Sequence, residues 1–600
     1  MDTPEKVLQR IFGFNDFRPG QREIIELIIS GKNVLAVMPT GAGKSLCYQI
    51  PAVLSKKLTI VISPLVALMD DQILGLKASG VNAACIHSGM QRQEQEKAWI
   101  DIKSGTSRLL YLSPERLMTK RMLSAVAKLE AALFVIDEAH CISKWGVSFR
   151  PDYDQLSQLP DLFPNATISA FTATADKATR EDIASKLFRD NGQIIVQDFD
   201  RPNIRLSVAA KTDWKSQLMT FLKGKYSQSG IVYCLSRKFT EEVADFLKSK
   251  DINALPYHAG LDPSERKLNQ DSFMSEDAVT VVSTIAFGMG IDKPDVRYVC
   301  HLNLPSSIEA YYQEIGRAGR DGILAETLML FGLDDIRTRR MFIVQDGKDE
   351  VHKLREHKRL DSLMAYCEAS QCRRSALLAY FGEEIEACGN CDNCLNPPKV
   401  VDGTSQARML LTAIMEAGQF FGANHIIDIL RGADNKKIRE KRQYAFSSYG
   451  SGKHYSKDYW QAFIRQAVSG GFLSINIQKY GCLEITTRGQ SLMSDNSAFY
   501  FREISDTNLS RQQITASKKN KVIVLSEPDQ AILSQVKTLR LELARKHKVP
   551  AYVIFSNATL LDMISKRPTC REEMLKVNGV GQAKFEKYGD IFLDFLIRYQ

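Results

Sequence analysis

Over the first 335 residues, short apolar runs that stop at polar clusters alternate with stretches of helical period. NVLAVM (33–38), LTIVISP (58–64), RLLYLSP (108–114), LFVIDEAH (133–140) and TISAFTATA (167–175) form one set. GIVYCLS (230–236), VTVVSTIAF (279–287) and VRYVCHLNLP (296–305) form a second. Strands alternating with helices imply parallel sheets joined by right-handed crossovers. The pattern therefore predicts two α/β lobes, 1–202 and 203–335, with DFDRPNI around Pro202 as connector. Open parallel sheets bind ligands at the carboxyl ends of their strands. The polar clusters of this chain follow the apolar runs directly, where that rule wants them.

Six hundred residues exceed one hydrophobic core, so several domains are expected. With 44% apolar and 25% charged residues, the composition is that of an ordinary globular protein. No apolar run approaches the ~20 residues that span a bilayer. The start, MDTPEKVLQR, has no apolar signal region. A cytoplasmic protein with no membrane partner is expected. The formal charge of +9 permits a polyanionic partner without demanding one.

The first polar cluster is PTGAGKS. Two glycines within three positions need a reason, because glycine costs backbone entropy. Backbone N–H groups curling around a phosphate chain supply one, aided by the dipole of the following helix. Thr40, Gly41 and Gly43 would form the curl, Lys44 would reach the outer phosphates, and Ser45 would offer a hydroxyl to Mg²⁺. The usual spacing wants a glycine where this chain has Met38. The alternative is an ordinary strand–turn–helix with a surface lysine.

Asp137 and Glu138 close the run LFVIDEAH. Paired carboxylates at the end of a buried strand need a cation or a proton. Asp137 suits a water-bridged Mg²⁺, and Glu138 a base that polarises attacking water. A solvated turn is the bland reading. Thr172 and Thr174 offer hydroxyls for a relay toward the second lobe, or simply end a β-branched strand. QEIGRAGRDG holds Gln313, Arg317 and Arg320; arginines three apart share a helix face and fit a γ-phosphate at an interface. The alternative is a basic helix surface, which the glycines at 316 and 319 argue against.

In this order, PTGAGKS, SPLVALMDDQ (63–72), YLSPERL, DEAH, SAFTATA, STIAFGMGIDKPDVRYV and QEIGRAGRDG resemble the motifs of superfamily 2 helicases, and more closely the RecQ family. The resemblance covers nearly the whole chain. It implies a bacterial-type protein with two RecA-like lobes, ATP as fuel, and translocation on single-stranded DNA in the 3′-to-5′ direction with duplex unwinding. FNDFRPGQREII resembles the family's adenine-reading segment: Phe14 and Arg18 would sandwich the base, and Gln21 would bond its edge. Lys44, Asp137, Glu138, Gln313, Arg317 and Arg320 become the expected catalytic set. SPLVALMDDQ with Ser283 and Thr284 would hold DNA phosphates. CISKWGVSFRPDY resembles the aromatic-rich loop that couples DNA to hydrolysis, with Trp145, Phe149 and Arg150 placed for stacking and cation–π contact. Val147 and Ser148 stand where the family carries His and Asp, which puts that coupling in doubt. The resemblance also implies roles in DNA repair, recombination, replication and the SOS response, at forks, junctions and gapped duplexes. A single-strand-binding protein and a topoisomerase are the implied protein partners, and the nucleoid the implied place. A monomer is expected.

Of twelve cysteines, eight are scattered singly and read as buried hydrophobes. Cys372, Cys388, Cys391 and Cys394 are spaced as a four-thiolate set. Zinc and an iron–sulfur cluster both suit four cysteines; the resemblance favours structural Zn²⁺, folding residues 336–400. Residues 401–504 read as a winged helix whose hairpin tip carries Tyr480, a candidate wedge at a duplex fork or a plain surface tyrosine. The basic stretch NKKIREKRQY could touch duplex phosphates. Residues 505–525 read as a linker. Residues 526–600 read as a small all-α domain resembling the helicase-and-RNase D C-terminal (HRDC) domain, with Lys537, Arg540, Lys546 and Lys548 as accessory strand contacts. Its Gly579–Val580–Gly581 turn could offer N–H groups to phosphate or be a tight connection.

Overall fold

The computed structural model describes residues 2–55, 57–87, 89–143, 150–189, 191–284, 293–347, 349–476, 479, 481–494, 498–503, 527–547 and 549–599. The first lobe holds β1 (Asn33–Val37), β2 (Thr59–Ile62), β3 (Ala83–Ile86), β4 (Leu109–Leu112), β5 (Leu133–Ile136), β6 (Thr167–Thr172) and β7 (Gly192–Val196). They form one parallel sheet in the order β3-β4-β2-β5-β6-β1-β7. The β2, β4 and β5 strands are buried throughout, as unbroken apolar runs between two helical layers must be. Fully burying each Val, Leu or Ile of these strands contributes roughly 1.5–3 kcal/mol of transfer free energy. The order reverses around β1, so β1 and β5 deliver their carboxyl ends to one crevice.

The second lobe repeats the plan with β8 (Ile204–Ala210), β9 (Gly230–Tyr233), β10 (Ala254–Tyr257), β11 (Thr280–Ser283), β12 (Tyr298–His301) and β13 (Ala325–Phe331). Their order is β10-β11-β9-β12-β13-β8, again all parallel. Five strands were not among the apolar runs read from the sequence. Four of them, β3, β7, β8 and β10, are sheet edges, and β7 is largely exposed.

Helices Glu350–Glu368 and Arg373–Tyr380 follow, packed on the second lobe. Arg373 is completely buried and bonds Asp392 and the carbonyls of Tyr366 and Cys367. Arg374 reaches Asp200 and the carbonyls of Arg201 and Ile204 in the connector, and Phe381 stacks on Phe199 at 4.6 Å. The next unit has helices Thr404–Glu416, Ala423–Arg431 and Lys457–Ser469 and a hairpin of β15 (Leu473–Asn476) and β16 (Cys482–Ile485). A short antiparallel pair, β14 (Val400–Asp402) with β17 (Tyr500–Arg502), joins its two ends. The expected linker lies outside the described residues. The last unit is all-helical, around Val536, Leu560, Phe585 and Phe592. Among the described residues no helix is long and apolar enough to cross a membrane.

That last unit docks on both lobes. The Gly579 N–H donates to the Gly13 carbonyl at 2.7 Å, and Asn15 bonds Asn578. Asn557 donates to Asp295 of the second lobe at 2.9 Å, and Arg540 faces Asp277.

Candidate nucleotide site and zinc centre

The Met38 N–H donates to the Thr172 carbonyl at 2.9 Å, and the side chain is wholly buried. Position 38 thus continues the buried backbone pairing one residue past β1, which is why it needs no glycine. The turn proper falls at Gly41 and Gly43, with φ of +87° and +82°. The helix Lys44–Leu54 starts immediately and aims its free N–H groups into that turn. Gln21 braces the turn, donating to the carbonyls of Ala42 and Gly43 at 3.0 and 3.1 Å and accepting from the Arg18 N–H. Its amide is therefore engaged within the protein, and contact with an adenine edge would exchange one of these bonds. The Arg18 guanidinium bonds the Gly41 carbonyl. Phe14, 39% exposed, lines the same cleft as Arg18, Lys44 and Ser45.

Asp137 follows β5 directly, its N–H bonded to the Ile62 carbonyl. Glu138 has φ of +50°, a left-handed conformation that a glutamate adopts only when its surroundings impose it. Its carboxylate lies 3.3 Å from His140 Nδ1, and that nitrogen is 3.0 Å from Thr172 Oγ1. Burial, then the charge of Glu138, pushes Asp137 up to about 7. Burial also works against ionised Glu138, but His140, Lys44 and Arg317 outweigh it and hold Glu138 below its ordinary value. Burial works against protonated His140 too, and Cys141 and Glu138 beside it push it up to about 10. The pair thus has unequal members, one poised to accept a cation and one firmly anionic.

The second lobe closes this cleft. The helix Ile308–Ile315 is capped by Ser307, whose side chain accepts from the Ala310 N–H. Gln313 Nε2 donates to Thr174 Oγ1 at 2.7 Å across the lobes. The Thr174 N–H in turn donates to Thr172 Oγ1, so a continuous run leads from Glu138 through His140 to Gln313. Arg317 and Arg320 differ from the expectation of a shared helix face. The helix ends at Ile315, and Gly319 with φ of +58° turns the chain, so both arginines sit on the following turns. Both still line the cleft with Lys44, Asp137 and Glu138. Arg317 is buried, and its Nε has no hydrogen-bond partner among the described residues. A buried guanidinium N–H left this way suits an anion.

Sequence reasoning missed Arg201. It donates to the carbonyls of Thr40, Gly316, Ala318 and Gly319, tying the phosphate turn to the arginine turn. Burial pulls its pKa down to about 10. A lone arginine beside Pro202 carries no pattern that would have marked it. Tyr552 and Ser556 of the C-terminal unit also line the cleft.

The four cysteine sulfurs lie within 4.8 Å of one another. Cys388 and Cys394 are 4.0 Å apart, Cys372 and Cys391 3.9 Å. A tetrahedron with metal–sulfur bonds of about 2.3 Å has edges near 3.8 Å. The N–H groups of Arg373, Ser375, Cys388 and Asn390 point at these sulfurs, as thiolates require. The site fits zinc.

Family descriptions match along the chain: DEAD/DEAH box helicase over 18–183, helicase conserved C-terminal domain over 213–322, RecQ zinc-binding over 333–395, RQC domain over 397–510 and HRDC domain over 529–596. The chain is 39% identical over 600 residues to the ATP-dependent DNA helicase RecQ of Pasteurella multocida, covering 100% of this chain and 94% of that protein. It is 40% identical over 593 residues to that of Haemophilus influenzae, covering 98% and 95%. The chain belongs to the RecQ helicase family. A further RecQ relative, from Bacillus subtilis, is 35% identical over 598 residues, covering 99% and 98%.

The DNA-facing expectations of this RecQ chain meet the structure unevenly. Trp145, Phe149, Val147, Ser148, Tyr480 and Lys548 lie outside the described residues. Arg150 caps the helix Pro151–Asp154 and bonds the Pro64 carbonyl, beside SPLVALMDDQ. Ser283 is a correction: it is completely buried, and its hydroxyl donates to the carbonyls of Tyr257 and Thr284. Thr284, half-buried, is the surface member of that pair. Arg540 is a second correction: it is buried, bonding the Phe555 carbonyl. The Gly579 N–H is engaged by Gly13 rather than held out to solvent.

Proposed function

We propose that this chain is an ATP-driven motor that moves 3′-to-5′ along single-stranded DNA and separates duplexes, in repair, recombination and replication, including the SOS response. The observation that carries the reading is the run of contacts from Glu138 to Gln313, an ion pair to His140 followed by hydrogen bonds through Thr172 and Thr174, which joins the hydrolysis site of one lobe to the helix Ile308–Ile315 of the other. Lys44 and the N–H groups around Gly41 and Gly43 hold the phosphates, and Phe14 and Arg18 flank the base. Ser45 and Asp137 would hold Mg²⁺, which supplies charge neutralisation at the outer phosphates; two adjacent half-buried carboxylates call for such a cation. Glu138 orients the attacking water. As its carboxylate is held well ionised, it acts more by polarising than by holding a full proton. Arg317 and Arg320 stabilise the leaving charge, and closure around them pulls the lobes together.

The domain boundaries we propose are 1–202, 203–335, 336–400, 401–504 and 526–600, with a linker at 505–525. Arg150 and Thr284, with Trp145, Phe149 and Tyr480, are the proposed DNA contacts. Single-strand-binding protein and a topoisomerase are the proposed partners of a monomer working in the cytoplasm at the nucleoid. The test is ATP hydrolysis with and without single-stranded DNA, alongside unwinding of a forked duplex with a 3′ tail. Strong stimulation and strand separation are expected. Stimulation absent from both the wild type and Val147→His/Ser148→Asp would sink the reading.

A further inference from the structure

Away from the four cysteines, the described residues gather one further cluster of metal-binding side chains, one of them from the SPLVALMDDQ segment. Asp70 on the helix Val66–Ala78, Cys85 on β3 and His87 just beyond it bring a carboxylate oxygen, a sulfur and a ring nitrogen within 4.8 Å of one another. Cys85 Sγ is 3.7 Å from Asp70 Oδ1, and His87 Nε2 is 3.5 Å from the same oxygen. For a tetrahedral ion with bonds of about 2.0–2.3 Å, neighbouring ligand atoms stand roughly 3.3–3.8 Å apart. Both contacts to Asp70 have that spacing. Hydrogen bonding accounts for it poorly, since a thiol is a weak donor and a 3.5 Å contact is long. Met90 Sδ lies a further 3.8 Å from the thiol and makes the surroundings softer still.

We propose that Asp70, Cys85 and His87 form a second metal site, taking Zn²⁺ with water in the fourth position. Thiolate, imidazole and carboxylate are all zinc ligands, whereas Mg²⁺ and Ca²⁺ take oxygen. His87 is buried, Cys85 half-buried and Asp70 exposed at a sheet edge, so the ion has a way in. Three protein ligands and a solvent-facing side make this the more exchangeable of the two zinc sites.

The proton balance is definite. Zinc takes the thiolate of Cys85, so binding releases any proton the thiol carries. The Gly89 N–H donates to His87 Nδ1 at 3.2 Å, which puts the ring proton on Nε2, facing Asp70. Coordination through Nε2 moves that proton to Nδ1 and ends the Gly89 donation. The helix carrying Asp70 also presents Leu68 and Gln72 to the nucleotide cleft, so the ion would tie that helix to β3.

The test titrates the full chain with zinc chloride after dialysis against a weak chelator, and counts bound zinc by atomic emission. A second equivalent is expected beyond the one held by the four cysteines. Cys85→Ser and His87→Asn should each lose that second equivalent and keep the first. With Co²⁺ as probe, the thiolate charge-transfer band should be weaker in Cys85→Ser by the share of one sulfur. In the unmutated chain, ¹⁵N-imidazole spectra should show His87 changing tautomer as zinc is added, which needs no variant to fold. A single equivalent in the wild type, a second equivalent that survives Cys85→Ser, or a His87 ring indifferent to zinc would each overturn the proposal.

Discussion

Glu138 combines a left-handed backbone, a half-buried carboxylate and an ion pair with His140, and each has a measurable consequence. Glu138→Gln keeps the shape and removes the charge. ATP turnover should fall by about 10²–10⁴-fold with the chain still folded, read by phosphate release and circular dichroism; an activity within tenfold of wild type would remove Glu138 from catalysis. Asp137, pushed up to about 7, carries a pH signature. Its folded value lies above its unfolded one, so ionising it opposes the fold: the penalty is full above about 7 and disappears as pH falls toward its ordinary value. Mg²⁺ reverses this by binding the ionised form. Mg²⁺ affinity, with nucleotide present, should therefore weaken by about tenfold per pH unit below 7 and level off above it. Calorimetric titrations at pH 6 and pH 8 decide it; equal affinities would exclude Asp137 as ligand. LFVIDEAH marked both residues only together with PTGAGKS in the same lobe; by itself it fits a solvated turn equally well. Arg201 was not legible, since its partners are carbonyl oxygens, which leave no mark on a sequence.

Among elements, the sheet centres were legible and the edges were not. β2 and β5 are buried on both faces, so their composition is forced; β7 is mostly exposed and constrained by little. The four-thiolate module was legible from cysteine spacing, and zinc rather than an iron–sulfur cluster only with the family resemblance; its purpose shows only in its contacts. Arg374 grips Asp200 and the connector, so the module braces the hinge between the lobes. Cys391→Ser, or strong chelation, should unfold residues 350–395, where structural zinc contributes on the order of 10 kcal/mol. Limited proteolysis should then cut there, and ATP turnover should drop with it; a resistant module without zinc would show that packing alone suffices. The Gln313–Thr174 bond is one of the links between the lobes, alongside those of Arg201. Gln313→Ala removes a buried hydrogen bond of about 1 kcal/mol. It should lower kcat for DNA-stimulated hydrolysis several-fold with KM for ATP little changed; a change confined to KM would assign Gln313 to binding instead.

At the scale of the whole molecule, the C-terminal unit was legible as a helical domain but not as a neighbour of the nucleotide cleft. Its closest approach is between backbones: a Cβ on Gly581 would stand 2.3 Å from the Ile11 carbonyl oxygen. Gly581 itself has φ of −83°, which alanine adopts without strain. Gly581→Ala should therefore leave the domain folded and separate it from the first lobe. Small-angle scattering should show a larger radius of gyration, with the unit's own helices intact; an unchanged radius would mean the other contacts suffice. The same unit touches Gly13 on one lobe and Asp295 on the other, and its Tyr552 and Ser556 line the nucleotide cleft. A strut fixed to both jaws of a clamp sets how often the clamp opens. The opening of the nucleotide cleft is thereby placed partly in the hands of a domain that performs none of the chemistry.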